Sequence, residues 1–567
     1  MASRAPDAYA AAQALLQRLQ HTPQAFGHVV PAVELMQTHI SWLLLAGEHV
    51  YKFKKPLKLE FLDFSTPALR RAACEEELRI NRRTAPQLYL EVVAVVEDEG
   101  GLRVLPAAEA DARGLQALAH AVHMRRFAQD DLLAAMLAQG RLLPAHIDAL
   151  ARHVAQFHAA AAVAAPDSGW GSAAAVRAPV AQCLHAVQAL AALPELASEA
   201  ARVAQLAQWC TAQGEMLAPV FDARLQQGWV RECHGDLHLG NLVLQGGEPL
   251  LFDAIEFDPA LRWIDVVADV AFLVMDLHAH GRADLGWRFL NAWLERTGDY
   301  AGLQVLRYYC VYRALVRARV AGVRLAQLAQ APQPASEALS SALPQVLGEV
   351  RHYVQLAACL SAPQPCWLGL AHGFSGAGKT TQSQALVARG VVRVRADVER
   401  KRLFGLAPEA SSAAVPGGIY TPEATERTYA RLAELARVVL QAGYPVLIDA
   451  TLLDAAQRAR FITLAADLQV PWCILAFEAP PEVLRARITQ RLQSGGDASE
   501  ATLAVLERQL ATARPLAAQE EAHTLHLDTT QPINWDAVLA QFLPSAQTPD
   551  AATTATAAAT HAAAPRS

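Results

Sequence analysis

Two short stretches of the sequence carry residue types at spacings that could move a phosphoryl group. In "HGDLHLGN", residues 234–241, Asp236 precedes Asn241 by five positions, and "FDAIEF" supplies Asp253 twelve residues on. A phosphoryl-transfer site needs a carboxylate to take the proton of the acceptor hydroxyl. It also needs an amide oxygen and a second carboxylate to hold magnesium against the phosphates. The spacing supplies all three. Two other readings are open: Asp236 caps a turn beside ordinary loop histidines, or His234 and His238 share a zinc ion with it. Neither accounts for Asn241 and the strand-end Asp253.

The second stretch, "GFSGAGKT", matches GxxxxGK[ST] over Gly373, Phe374, Ser375, Gly376, Ala377, Gly378, Lys379 and Thr380, with Thr381 next. It follows an apolar run and opens a helical stretch reaching about Gly390, the context this motif requires. Backbone N–H groups at a helix N-terminus would cradle phosphates, Lys379 would reach the β and γ groups, and Thr380 would offer its hydroxyl to magnesium. "VLIDAT" puts Asp449 at a strand end as a second metal carboxylate or a plain strand cap. Asp397 and Arg400 in "RADVERKRL" suit an acid beside an acceptor hydroxyl and a guanidinium on phosphate. Arg487 and Arg491 lie four apart on one helix face, as a lid or as surface arginines. "GGDASEA" beyond them reads as the lid's loop.

The elements that must position these residues fall into segments. Residues 1–24 read as a helix. Residues 25–127 read as a small mixed lobe, with strands flanking Gly47, the helix "ALRRAACEEELRINRRTA", and a hairpin around Gly100 and Gly101. Residues 128–360 are mainly helical, interrupted by "NLVLQ" and "PLLFD", a hairpin on Gly246 and Gly247 that brings Asp253 toward the Asp236 loop. "SAPQPC", residues 361–366, marks a boundary. From 361 to 545 strand and helix alternate through "CWLGLAHG", "VVRVRAD", "YPVLIDAT", "WCILAFEA" and "HTLHLDTT", which predicts a parallel sheet covered on both faces. Residues 546–567 have no core-forming pattern and read as disordered.

Length and composition set the frame. At 567 residues the chain predicts three or four compact units of roughly 150 residues. Its net charge of −6 argues against a basic nucleic-acid-binding protein. Eight cysteines without a CxxC pair predict reduced thiols in a cytoplasmic protein. The richest apolar run, "VVADVAFLVMDL", is too short to span a membrane and carries two aspartates. Only six lysines stand among 43 arginines. Four of them, Lys52, Lys54, Lys55 and Lys58, cluster before the first helix of the mixed lobe, Lys379 lies in the glycine-rich loop, and Lys401 follows it. The lysines of the N-terminal cluster are either chance survivors in an arginine-rich chain or compact ammonium groups that a crowded phosphate site requires, the reading Lys379 supports.

On these residues the first 360 positions resemble the aminoglycoside phosphotransferase family, which shares the two-lobed protein-kinase-like fold. The resemblance implies Asp236 as catalytic base and Asn241 and Asp253 as magnesium ligands. It also implies a strand lysine paired with a helix acid, for which "HVYKFKK" offers Lys52 with Lys54 as competitor, and "CEEELRI" offers Glu77 with Glu76 as competitor. No GxGxxG precedes that strand, so phosphate coverage would come from "QTHIS" or a similar loop. Glu256, Asp258, Asp265 and Asp269 could line an acidic acceptor pocket, cap helices, or pair with Arg262. The C-terminal part resembles adenylate-kinase-like P-loop kinases with an Asp-x-x-Arg acceptor motif, a group also carried under the AAA ATPase name.

The expected architecture is therefore α+β and α/β: a two-lobed kinase-like fold followed by a doubly wound P-loop sheet. The expected activity is ATP- and magnesium-dependent phosphorylation of hydroxyl groups on small molecules at two separate nucleotide sites. Two alternatives stand beside it. The C-terminal half could be a polynucleotide 5′-kinase, against which the acidic balance argues, or the N-terminal half could be a non-catalytic module regulating a P-loop ATPase.

Overall fold

The computed structural model describes residues 3–4, 6–59, 62–329, 336–494 and 498–542. They form two compact units: residues up to 176 with 221–273, and residues 177–220 with those from 274 onward.

In the first unit α1 (Pro6–Gln20) precedes a six-stranded antiparallel sheet. Its strands are β1 (Val33–Gln37), β2 (Ser41–Ala46), β3 (His49–Lys54), β4 (Tyr89–Asp98), β5 (Gly101–Pro106) and β6 (Ala117–Arg125), in the order β1-β2-β3-β6-β4-β5. Between β3 and β4 runs α2 (Pro67–Asn81). It starts where the Thr66 side chain accepts the Leu69 N–H at 3.2 Å, with a proline in its first turn. The unbroken apolar run of β4 is explained by burial on both faces. Val92, Ala94 and Val96 pack with Cys74 of α2, while Val93 and Val95 pack with Leu16 and Leu19 of α1 and with Trp42 and Phe53. The same alternation turns Val50, Lys52 and Lys54 of β3 toward α2. The sequence reading did not single out β6. Its "ALAHAVHMR" has one β-branched residue, and it becomes a strand because β3 and β4 pair with it on either side.

The unit continues with α3 (Pro144–Ala160) and β7 (Val230–Glu232). The hairpin of β8 (Leu242–Gln245) and β9 (Glu248–Leu251) follows, then β10 (Trp263–Asp265), which pairs with β7, and the first part of α4 (Val266–Ala279), up to residue 273. Gly246 and Gly247 both have positive φ, 57° and 86°, as a tight two-residue hairpin turn demands.

The second unit joins helices to a parallel sheet. The helices are Ala173–Ala191 in its greater part, Ala200–Met216, α5 (Ala283–Thr297), α6 (Leu303–Ala329) and α7 (Ser336–Ser361). The sheet is built from β11 (Leu368–His372), β12 (Val392–Arg395), β13 (Val446–Asp449), β14 (Trp472–Glu478) and β15 (Thr524–Asp528), ordered β12-β13-β11-β14-β15 with every pair parallel. Around it lie α8 (Ala396–Leu403), α9 (Pro422–Gln441), α10 (Ala455–Leu468), α11 (Pro481–Ser494), α12 (Leu503–Thr512) and α13 (Trp535–Phe542). Leu447, Leu475, Phe477, Leu484, Ile488 and Leu506 fill one side. The carboxyl ends of β11, β12 and β13 lie side by side, which is where an open parallel sheet binds its ligand. The segment 361–366 follows the end of α7, and both of its sides belong to this unit.

Two expectations meet detail here. The helix after the glycine-rich loop is not one stretch to Gly390 but two short ones, Lys379–Gln382 and Gln384–Val387. It breaks where the Thr380 carbonyl accepts from the Ser383 hydroxyl at 3.3 Å and from the Arg393 guanidinium at 2.8 Å. The tail 546–567 and residues 495–497 of "GGDASEA" lie outside the described residues. Among the described residues no helix is long and apolar enough to cross a membrane, and all eight cysteines are free.

Candidate active sites

In the first unit, β3 delivers two ammonium groups to one face. The Lys52 Nζ lies 2.8 Å from Glu77 Oε1 and 2.5 Å from Asp253 Oδ1, and the Lys54 Nζ lies 2.5 Å from Glu77 Oε2 and pairs also with Glu256. Both competing lysines therefore share Glu77, but Lys52 is the one that bridges to Asp253. Glu76 faces elsewhere, pairing with Arg79 and Arg262. Burial opposes the charge on Lys52, yet the carboxylates of Asp253 and Glu77 outweigh it and hold its pKa well above the ordinary value. Burial likewise opposes the Glu77 carboxylate, and Lys52 and Lys54 overcome it and keep its pKa low.

Asp253 sits just past β9 with φ 61°, a left-handed backbone that aspartate tolerates better than most residues, and its N–H donates to the Tyr89 hydroxyl at 3.1 Å. Its side chain is 43% exposed, so one edge stays open beside the lysine. In the preceding loop the Asn241 amide donates to the Asp236 carboxylate at 2.9 Å and to its carbonyl at 3.0 Å. This fixes the Asp236 carboxylate, which is 36% exposed.

Zinc sharing by His234 and His238 does not fit. The buried His234 donates from Nε2 to the Phe252 carbonyl at 2.9 Å and accepts the Asp236 N–H on Nδ1 at 3.3 Å, leaving no lone pair for a metal. His158, Cys233 and Asp269 lie close together and buried. Here Asp269 is occupied by the loop itself, accepting the N–H groups of His234 at 3.0 Å and Gly235 at 2.9 Å. Asp269 thus holds the Asp236 loop from α4.

The acids expected to line an acceptor pocket are otherwise engaged. Glu256 is paired with Lys54, Asp265 with Arg224, and Asp258 caps the turn at Ala260. The "QTHIS" segment is a tight turn. The Ser41 N–H donates to the Thr38 hydroxyl at 3.0 Å, and Lys55 donates to the Thr38 carbonyl at 2.5 Å.

In the second unit two glycines of the loop after β11, Gly373 and Gly376, are required by space. A Cβ on Gly373 would sit 2.5 Å from the Phe477 carbonyl oxygen, and one on Gly376 2.7 Å from that of Leu484. Lys379 arches back over the loop and donates to the carbonyls of Gly373 and Phe374, each at 2.9 Å. Desolvation there pushes its pKa down to about 8. The Thr380 hydroxyl donates to Asp449 Oδ2 at 2.7 Å, so the loop hydroxyl and the end of β13 meet. These donors fit a hard divalent cation beside bound phosphates.

Asp397 stands at the start of α8, its pKa raised by burial. Arg400 is buried and donates to the Ile419 carbonyl at 3.1 Å and the Thr425 hydroxyl at 3.2 Å, while stacking over Tyr420. Arg487 is tied to Thr529 and reaches the Gly376 carbonyl at 3.5 Å, and Arg491 donates to the Ala501 carbonyl. Ala377 lies in the loop and Thr381 in the first helical turn after it.

Sequence reasoning missed Gln509, whose Oε1 accepts the Ser375 N–H at 2.9 Å, and the pair Arg393 and Arg395. No signal marked Gln509. The arginines were signalled by "VRVR", two charges on one face of a strand predicted to be buried. Asp269 was likewise signalled by its place in the apolar run "VVADVAF".

Residues 368–516 match the family model described as AAA domain. Across 486 residues the chain is 30% identical to curated proteins of Mycobacterium tuberculosis, described as "Uncharacterized protein Rv2004c", and of Mycobacterium bovis. In each case the match covers 84% of this chain and 90% of the relative. Among solved structures, a choline/ethanolamine kinase family protein from Mesorhizobium loti is 12% identical, with 62% of this chain and 99% of that one covered at a TM-score of 0.33. A gluconokinase from Sinorhizobium meliloti is 19% identical, with 32% and 89% covered at a TM-score of 0.22. The chain belongs to the family of these mycobacterial proteins, and it joins an N-terminal unit built on a six-stranded antiparallel sheet to a P-loop domain on a five-stranded parallel sheet.

Proposed function

We propose that the chain is an ATP- and magnesium-dependent phosphotransferase with two nucleotide sites, each passing a γ-phosphoryl group to a hydroxyl of a small molecule. The observation that carries this reading is that each unit assembles its own ammonium and metal-type oxygens: Lys52 with Glu77 and Asp253 in one, Lys379 with Thr380 and Asp449 in the other. Neither set borrows from the other.

In the first site Asp236 takes the proton of the acceptor hydroxyl, with Asn241 holding the carboxylate in place and Lys52 orienting the nucleotide phosphates. Asn241 and Asp253 would hold magnesium. In the second, the loop amides and Lys379 bind the β and γ phosphates, Thr380 and Asp449 would hold magnesium, and Asp397 takes the acceptor proton. The raised pKa of Asp397 suits a base that must release as well as accept a proton. Magnesium, when bound, neutralises charge on the phosphates in both sites. Arg487 and Arg491 supply cations near the loop, and Arg400 shapes the acceptor side from its buried position.

The closed turn at Thr38–Ser41, without glycine, favours a second reading in which the N-terminal site binds nucleotide only to regulate the other. One experiment separates the two. Asp236→Ala and Lys379→Ala are assayed for ADP release with candidate hydroxyl acceptors. Two-site catalysis requires that each removes a distinct activity, and loss of all turnover from Lys379→Ala alone would leave only the regulatory reading.

A further inference from the structure

We infer that Glu295, which lies on α5 outside the P-loop sheet, is a positioning residue for the magnesium end of the P-loop site. The inference rests on reading Thr380 and Asp449 as that site's metal-holding pair. Glu295 Oε1 lies 3.2 Å from an Arg393 nitrogen, and its Oε2 lies 3.6 Å from one of Arg395. Those arginines stand two apart on β12, hence on one face.

From each arginine a second contact runs into the site. Arg393 donates to the Thr380 carbonyl at 2.8 Å and reaches the Ser383 hydroxyl at 3.4 Å. Arg395 Nε lies 3.9 Å from Asp449 Oδ2. One carboxylate therefore governs two contact paths that end on the two members of the Thr380–Asp449 pair.

The electrostatics give Glu295 a specific task. A guanidinium close to Asp449 competes with a divalent cation for the same carboxylate, and the competition is strong because these side chains are only 14–15% exposed or less. Glu295 divides the attraction of Arg395 and keeps it at the edge of the metal position. Its own backbone is held, since Arg402 donates to the carbonyls of Glu295 and Arg296. Removing the Glu295 charge leaves Arg395 to the site's own carboxylates, Asp449 at 3.9 Å and Asp397, whose charge it also steadies, so the guanidinium is drawn inward onto the metal end of the site.

The test uses the full-length chain, a non-hydrolysable ATP analogue and calorimetry at graded magnesium. The binding component absent in Lys379→Ala is assigned to the P-loop site. Glu295→Gln should raise the magnesium concentration needed for half-maximal binding of that component about tenfold, and adding Arg395→Gln should return it to within about twofold of the parent. Arg395→Gln alone should lower the requirement, which keeps the test decisive if Glu295→Gln does not fold. An unchanged requirement in Glu295→Gln, a rise that survives in the double variant, or a rise in Arg395→Gln would overturn the inference. Binding indifferent to Lys379 would instead overturn the P-loop reading on which it rests.

Discussion

Lys52, Lys54, Glu77 and Glu256 form a buried run of alternating charges, and the shared carboxylate is its hinge. Glu77 is fully buried between two ammonium groups, so Glu77→Gln should cost about 3 kcal/mol in chemical denaturation at neutral pH, against about 1 kcal/mol for the partly exposed Glu76. Because the Glu77 pKa is lowered on folding, its contribution is complete above the ordinary carboxylate value. It fades as pH falls from there toward the lowered one, so the gap between Glu77→Gln and the parent should narrow below about pH 4. Lys379 has the opposite sign of linkage. Its amine is pushed down to about 8 in the free loop and must be charged on phosphate. Binding at that site should take up a proton above that pH, and affinity should fall by roughly tenfold per pH unit there while staying flat below. Calorimetry in buffers of different ionisation heat checks it. At this scale the sequence was readable where spacing is chemistry: the Asn241 amide donates to the Asp236 carboxylate five residues before it, and the hairpin brings the chain back so that the Phe252 N–H, next to Asp253, donates to the Asn241 carbonyl at 3.0 Å. It could not choose between Lys52 and Lys54, because both lie on one face and the choice depends on where Asp253 arrives from two hundred residues away.

At the scale of elements, the five parallel strands were legible from short apolar runs, since burial on both faces leaves little room for polar residues. The strand β6 was not, because alanine and histidine carry no strand signal until neighbours pair with them. What covers the outer side of β12 was not legible either. There Asn291 of α5 accepts the Arg393 N–H at 2.8 Å and stands within 3.5 Å of the Val391 carbonyl, so a helix side chain satisfies the edge of the sheet. Asn291→Ala should leave that buried N–H without a partner and cost about 1–3 kcal/mol, measured as a lower melting temperature of the full chain. Gly373→Ala should abolish the stabilisation that ADP gives, because the new methyl group meets the Phe477 carbonyl at the cradle itself.

For the whole molecule, the proline-bearing segment 361–366 looked like the natural seam, as a break between helical and alternating text usually is. The compact units fall differently, with α5, α6 and α7 sharing a unit with the parallel sheet. Trp287 of α5 lies against Gly390, where a Cβ would come within 3.1 Å of the indole, and its ring centroid is 6.0 Å from that of Tyr444. A fragment of residues 361–545 would bare these apolar surfaces and the edge of β12. It should aggregate or melt below the full chain, whereas the full chain should take up two equivalents of ATP.

The docking of α5 on β12 bears on inheritance. A gene broken at the codons for 361–366 would send the downstream product into the cell without the wall its first sheet edge leans on. Fission of the gene at that point would therefore be penalised, and the two parts of the sequence would pass from generation to generation as one transcript.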